Sequence, residues 1–165
     1  MEIEIIRGDI TRVDVDAVVT AANSELMGGG GVDGAVHRAA GPRLLAAIRP
    51  LAPCPPGCAV VTPAFDLGPR VRHVIHAVGP RYGIDEPEAE LLASAYCASL
   101  ARADEVGATS IAYPAISAGV YGYPIREACE ISISALRSAS TSVRLCVLVA
   151  FNSEIREGWE SARAT

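Results

Sequence analysis

Apolar residues occur in short dense runs separated by polar, glycine-rich gaps, and the period of the runs changes along the chain. "IEIIRG" (3–8) reads as a strand, and "DAVVTAA" (16–22) as a second. The second is nearly all apolar, the pattern of a strand covered on both faces. "VDGAVHRAAG" (32–41) reads as a short helix closed by Gly41, with Pro42 restarting the chain into a further short helical stretch. "APCPPG" is a turn, and "CAVVTPA" (58–64) and "VRHVIHAV" (71–78) are strands flanking the loop "FDLGPR". The longest helical pattern is residues 85–107, where Leu92, Ala95, Tyr96, Ser99, Leu100 and Ala103 form one stripe. Asp85 and Glu88 there resemble a capping box, with Pro87 in the first turn and Gly107 as the stop. A strand "TSIAYPAI" (109–116), the loop "SAGVYGY" and a helix from Pro124 to about Ser138 follow. "VRLCVLVAF" (143–151) reads as a central strand, and the last helix begins at Ser153, a plausible N-cap. The order β-β-α-(α)-β-β-α-β-α-β-α predicts a partly parallel sheet between helical layers.

The chain has 165 residues, of which 50% are hydrophobic. That size predicts one domain, residues 1–165, burying about 70% of its unfolded surface without staples. A net charge of −5 argues against a nucleic-acid partner. All 14 basic residues are Arg, which reads as compositional bias. The opening "MEIEIIRGDITRVD" lacks the basic and apolar regions of a signal peptide, and no apolar run is long enough to span a membrane. Five cysteines, an odd number among apolar residues, read as buried reduced thiols, and together these features predict a cytoplasmic protein.

Candidate chemistry concentrates in two loops, "GGGGVDG" and "SAGVYG", each leaving a strand and entering a helix. Ligands of such sheets sit at the carboxyl ends of strands. Successive amides in glycine turns form anion nests, and helix N-termini add positive potential. Two such loops side by side would clamp a diphosphate; the alternative is two tight turns in which glycine merely supplies positive φ. Gly29-x-Gly31-x-x-Gly34 matches the dinucleotide fingerprint, but the acidic residue expected about 20 positions later is absent. A P-loop needs a lysine, and the chain has none. A zinc site from "CPPGC" and "HVIH" fails because His73 and His76 point to opposite faces of one strand.

The chain has two asparagines, Asn23 and Asn152, both at ends of predicted central strands. Asn23 either satisfies loop backbone or meets ligand hydroxyls. Asp33 either favours the helix dipole or orients a water or a ribose hydroxyl. Asp9 either caps the turn in "GDIT" or accepts from a ligand amino group. Phe151 is either a core aromatic or a stacking surface for a base, and His37 reads as helix packing.

Assembled in order, "GDIT" (8–11), "AAN" (21–23), "GGGGVDGAVHRAAG" (28–41), "CPPG" (54–57), "HAVGP" (76–80) and "SAGVYGYP" (117–124) resemble a macrodomain of the MacroD type. The resemblance runs from Arg7 to about Phe151. It implies a three-layer α/β/α sandwich with a mixed, mostly parallel six-stranded sheet. The implied ligand is ADP-ribose, free or attached to proteins. The implied reactions are hydrolysis of its ester link to Asp or Glu side chains and deacetylation of O-acetyl-ADP-ribose, by a monomer without metal or other cofactor. By position, Asp9 and Ile10 would bind adenine, with Phe151 against it and Asn152 beside it. Ser117, Ala118, Gly119, Val120, Tyr121 and Gly122 would hold the phosphates together with Gly30, Gly31 and Val32. Ala22, Asn23 and Asp33 would address the distal ribose, Asn23 and Asp33 as the catalytic pair.

Two positions depart from the family pattern. Thr20 stands where the family usually has asparagine, and Ala118 where it usually has threonine. Thr20 is expected to donate to a loop carbonyl, and Ala118 to leave only its N–H near the phosphates. Each lost net hydrogen bond would cost about 1 kcal/mol. Three functions remain open: hydrolysis of the ester by a positioned water, non-catalytic reading of ADP-ribose, and cleavage of a different bond at the same end of the ligand. No serine or cysteine has a histidine beside it in sequence that would make it a nucleophile.

Overall fold

Every apolar run read as a strand joins a single sheet in the computed structural model, which describes all 165 residues. The chain runs β1 (Glu2–Arg7), a 3-10 turn (Ile10–Arg12), β2 (Ala17–Ala21), α1 (Gly31–Ala40), α2 (Arg43–Ile48) and a second 3-10 turn (Arg49–Leu51). It continues through β3 (Ala59–Pro63), β4 (His73–Ala77), α3 (Glu88–Glu105), β5 (Ser110–Tyr113), α4 (Ile125–Ser138), β6 (Leu145–Ala150) and α5 (Ser153–Ala164). The six strands lie in the order β1-β6-β5-β2-β4-β3. All neighbours are parallel except β3, which pairs antiparallel with β4 at one edge.

Strand alternation divides the core between two faces. Ala17 and Val19 of β2, Ile75 and Ala77 of β4, and Cys146 and Leu148 of β6 pack under α3, α4 and α5. Val18, Val74, Val147 and Val149 face the other way, against Val36 and Ala40 of α1 and Leu44 of α2. The result is the three-layer arrangement expected from the alternation of elements. His73 and His76 fall on opposite faces of β4 as expected, His76 on the α1 side with the parity of Val74. No helix is long and apolar enough to cross a membrane.

Several local expectations are corrected. The predicted fifth strand stops at Tyr113, because Pro114 has no N–H for the ladder and the Ile116 N–H turns to the Tyr96 hydroxyl at 3.1 Å. The capping box does not form. Asp85 accepts from the Arg81 backbone and guanidinium, Glu88 accepts from the Gly83 N–H, and α3 starts at Glu88 after Pro87. Asn152, not Ser153, caps α5: its Oδ1 accepts from the Ile155 N–H at 2.9 Å, while Ser153 Oγ accepts from Arg7. The five thiols are all free, but only Cys54, Cys129 and Cys146 are buried; Cys58 and Cys97 are exposed.

The α4–α5 layer is tied by a polar contact of Trp159 inside an apolar core. Trp159 is fully buried, and its indole N–H donates to Ser132 Oγ at 2.9 Å, while the Ser132 hydroxyl donates to the Cys129 carbonyl at 2.9 Å. Ser132→Ala strands that N–H where water does not reach, and is expected to cost about 1–3 kcal/mol. Urea denaturation followed by the fluorescence of the single tryptophan reads the loss; an unchanged midpoint would show that the bond contributes nothing net.

Candidate functional site at the carboxyl edge of the sheet

Five parallel strands release their chains at one edge, in the spatial order β1, β6, β5, β2, β4. The exits carry, in that order, Asp9 and Ile10, then Phe151 and Asn152, then the loop 117–122. The loop 22–31 and the segment 78–80 come next. β5 and β2 are direct neighbours, so the two glycine-bearing loops leave adjacent strands on the same side. Tyr121 registers this proximity electrically. Its half-buried phenol is pushed up mainly by burial, opposed by Arg81 and reinforced by Glu25, Asp85 and Asp33. Asp33 belongs to the other loop's helix.

The first loop folds around Asn23. Its Nδ2 donates to the Gly28 carbonyl at 2.9 Å, and its Oδ1 accepts from the Met27 N–H at 3.1 Å, closing residues 23–28 into a ring. The loop-satisfying role of Asn23 is therefore realised, and one of its amide hydrogens remains for another partner. Ala22 is tied to β4 through its N–H and the Ala77 carbonyl. Gly30 starts α1 with no side-chain cap, and the N–H groups of Gly31 and Val32 donate to no backbone carbonyl. They are the open donors of a helix N-terminus, the kind of end whose amides and dipole favour an anion. Gly34 makes the close approach feasible: a Cβ there would lie 2.6 Å from the Gly29 carbonyl oxygen.

Asp33 lies beneath this loop and is buried. Thr20 shares the parity of Val18, so it points at α1, and its Oγ1 donates to Asp33 Oδ1 at 2.8 Å. The expected bond from Thr20 to a loop carbonyl is not made; the departure from asparagine serves the carboxylate instead. His37, one helical turn on, places Nε2 3.6 Å from the same oxygen. Burial raises the Asp33 pKa above its ordinary 3.8, against the lowering effects of the Thr20 bond and of His37. The other oxygen, Oδ2, faces the glycine loop: a Cβ at Gly29 would sit 3.8 Å from both Asp33 Oδ2 and Asn23 Nδ2. The structure thus brings the two predicted catalytic side chains next to one glycine. His37 does not merely pack the helix, as first read, but borders the carboxylate.

The second loop is set by Ser117, which is buried at a positive φ of 65° and donates through Oγ to the Pro80 carbonyl at 2.7 Å. The Gly122 N–H closes a turn on the Gly119 carbonyl, and the Tyr123 N–H returns to the Ser117 carbonyl, each at 2.9 Å. The amides of Gly119, Val120 and Tyr121 donate to no backbone carbonyl. The Ala118 N–H, expected to remain available, donates to the Ala115 carbonyl at 3.3 Å. Val120 is fully exposed at the tip, and a Cβ at Gly119 would meet nothing within 4 Å.

At the far end of the edge, Asp9 caps the 3-10 turn. Its Oδ1 accepts from the Thr11 N–H at 2.9 Å and from the Thr11 hydroxyl at 2.7 Å, and these bonds hold its pKa below the ordinary value. Ile10 is buried against the α1 side. Phe151 is 58% exposed, which excludes the core reading and leaves an aromatic face on the rim. The Asn152 carboxamide oxygen is engaged in its helix cap.

The part that three residues play was not legible from the sequence. Thr20 was read only as a substitution, although strand parity pointed it at α1. Gly79 was one letter of a motif, yet a Cβ there would lie 2.2 Å from Ser117 Oγ and 2.5 Å from Ile116 Cγ2. His76 is fully buried behind Asp33 and His37, directly in register with Thr20, and burial lowers its pKa to about 3.

Comparison with known proteins agrees with this geometry. The Macro domain family model matches residues 19–132. A macro domain-containing protein of Xanthomonas axonopodis pv. citri is 47% identical over 176 aligned residues, covering 100% of this chain and 97% of the relative. A protein of Klebsiella pneumoniae named O-acetyl-ADP-ribose deacetylase is 56% identical over 135 residues, covering 79% of this chain and 76% of its own length. Among solved structures, a variant of the Oceanobacillus iheyensis macrodomain with ADPR superposes with a TM-score of 0.92 at 36% identity, covering 98% of this chain and 91% of that one. The family match, the identity to its relatives and the superposition give one answer: the chain belongs to the Macro domain family.

Proposed function

We propose that this protein binds ADP-ribose along the carboxyl edge of its sheet and hydrolyses esters at the distal ribose, both O-acetyl-ADP-ribose and ADP-ribose linked to Asp or Glu side chains of proteins. The observation that carries the reading is Asp33: a buried carboxylate of raised pKa, one oxygen held by Thr20, the other facing the loop beside Asn23. A module that only reads ADP-ribose has no use for it. The related deacetylase and the ADPR-bound macrodomain support the ligand and the reaction class.

In this reading the adenine lies against Phe151, with Asp9 and Ile10 at its edge and Asn152 beside it. The diphosphate takes the free amides of Gly119, Val120 and Tyr121 and those of Gly31 and Val32, with Ser117, Ala118, Gly122 and Gly30 shaping the walls. Neutral amides suit a chain of net charge −5, since they attract an anion without adding cationic side chains. The remaining Asn23 amide hydrogen orients the distal ribose, and Ala22 holds Asn23 to the sheet. Asp33 Oδ2 orients a water and accepts its proton as the water oxygen bonds to the acyl carbon. The ribose–oxygen bond to that carbon breaks, and the proton passes to the ribose oxygen. The products are ADP-ribose and a carboxylic acid. Positioning of this kind supplies roughly 7–11 kcal/mol, and the base about 10²–10⁴-fold in rate.

Four experiments test this. ADP-ribose at 100 times Kd should stabilise the wild type by about 2.7 kcal/mol, a rise in Tm of roughly 5–11 °C. Asp33→Ala should keep that rise and lose about 10²-fold or more in turnover of O-acetyl-ADP-ribose; wild-type turnover would refute the role of Asp33. Gly119→Val has room in the loop, so its ligand-free Tm should match wild type while the ADP-ribose shift disappears. A full shift in that variant would place the phosphates elsewhere. Thr20→Val removes a bond that favours the ionised carboxylate. Asp33 then holds its proton to higher pH, so the acid limb of kcat/KM should move up in pH while the plateau above it is recovered. A limb that stays in place would mean that another group controls it.

A further inference from the structure

Behind Asp33 the α1-facing side of β2 and β4 meets the inner side of α1. Asp33, His37 and His76 each present a ligand atom there, all within 4.8 Å of one another. We propose that these three side chains form a binding site for a divalent transition-metal ion of the zinc, cobalt or nickel kind, and that occupancy switches hydrolysis off by withdrawing Asp33 from the attacking water. The switching half rests on the proposed hydrolase activity; the binding half stands without it.

The donor set is two imidazoles and a carboxylate, which suits borderline transition metals rather than magnesium or calcium. Two of the nitrogens lack a hydrogen-bond partner: His37 Nε2 and His76 Nδ1 are both buried and unbonded. Buried polar atoms are ordinarily paired, and two unpaired imidazole nitrogens beside one carboxylate are a pattern that a cation satisfies. The tautomer of His76 also fits. Thr62 Oγ1 lies 3.1 Å from the Pro63 carbonyl and 2.9 Å from His76 Nε2. With its hydrogen on the carbonyl it accepts from Nε2, which leaves the lone pair on His76 Nδ1, the ligating form, with Thr62 as the outer group that holds it. Thr20 does the same for Asp33 Oδ1.

Ligand bonds of about 2.0–2.1 Å require donors closer together than this triangle now holds them. His37 is the side chain free to close it. It is the least buried of the three, and no side chain covers it from Gly28, where an added Cβ would be 3.8 Å from the ring. Once a carboxylate oxygen of Asp33 is bound to a metal, the negative charge that orients the water is neutralised, and the group stops acting as a base.

Cobalt(II) provides a readout independent of activity. Titrated into chelator-treated protein bearing Cys58→Ser and Cys97→Ser, which remove the exposed thiols, it should develop the visible bands of a low-coordinate nitrogen and oxygen site. The bands should vanish in His37→Leu and in Asp33→Asn. Thr62→Val, which keeps shape but loses the outer hydrogen bond, should weaken cobalt affinity about 10–100-fold. Absence of the bands, or their survival unchanged in His37→Leu, overturns the site. With O-acetyl-ADP-ribose as substrate, zinc should inhibit turnover and a chelator restore it. Cobalt binding without zinc inhibition of an active enzyme overturns the switch. An inactive protein that still binds cobalt would refute the hydrolase reading and leave the metal site standing.

Discussion

Parallel strands must discharge their chains at one edge, and that constraint organises the whole molecule. Five of the six strands run the same way, so Asp9, Phe151, the loop 117–122, the loop 22–31 and Gly79 all emerge together. They arrive in spatial order, although the chain visits them out of order. The aromatic rim of β6, the free amides after β5 and the carboxylate after β2 form a line because the strands form a line. A long ligand with a base at one end and a sugar at the other matches such a row of stations. The antiparallel strand β3 lies beyond β4 at the edge of the sheet and contributes none of them.

The proposed binding surface along that row is mostly backbone. The loops present amides rather than charged side chains, and the glycines are there for closeness. Gly34 lets α1 press against the Gly29 carbonyl, and Gly79 lets the second loop settle on β4. Side chains then hold the backbone in place: Asn23 rings the first loop, and Ser117 anchors the second to Pro80. On the proposed function, this division is how an acidic protein would hold an anion. Field from oriented dipoles acts at short range, whereas net charge acts at long range and is screened.

Asp33 is governed by competing effects. Burial favours its neutral form, while the Thr20 hydroxyl and the neighbouring His37 favour its ionised form, and burial prevails. The substitution of Thr20 for asparagine is thus more than a lost hydrogen bond: it places a single donor on one carboxylate oxygen and leaves the other uncommitted. His76 adds a neutral, buried imidazole behind this pair, and its own partner Thr62 comes from the antiparallel edge strand. Four separated stretches of sequence meet in a space no wider than a few side chains.

The residue pattern by itself determined the elements and their layering. The α3 stripe is buried at the same six positions that its spacing marked, and every apolar run read as a strand joined the sheet. The two glycine loops and the family likeness were equally plain, because they are local in sequence and need only a period or a motif to be seen. Helix starts were less legible. The carboxylates of Asp85 and Glu88 found backbone partners upstream, and Asn152 took the cap expected of Ser153. These are contests between nearly equal hydrogen bonds, which small differences in chain path decide. What only the tertiary structure decided is who stands next to Asp33. Thr20, His37 and His76 reach it through strand register, strand parity and one helical turn, and no single stretch of the chain contains all three relations. Contacts between distant segments follow from how the layers close, and that closure is a property of the whole core.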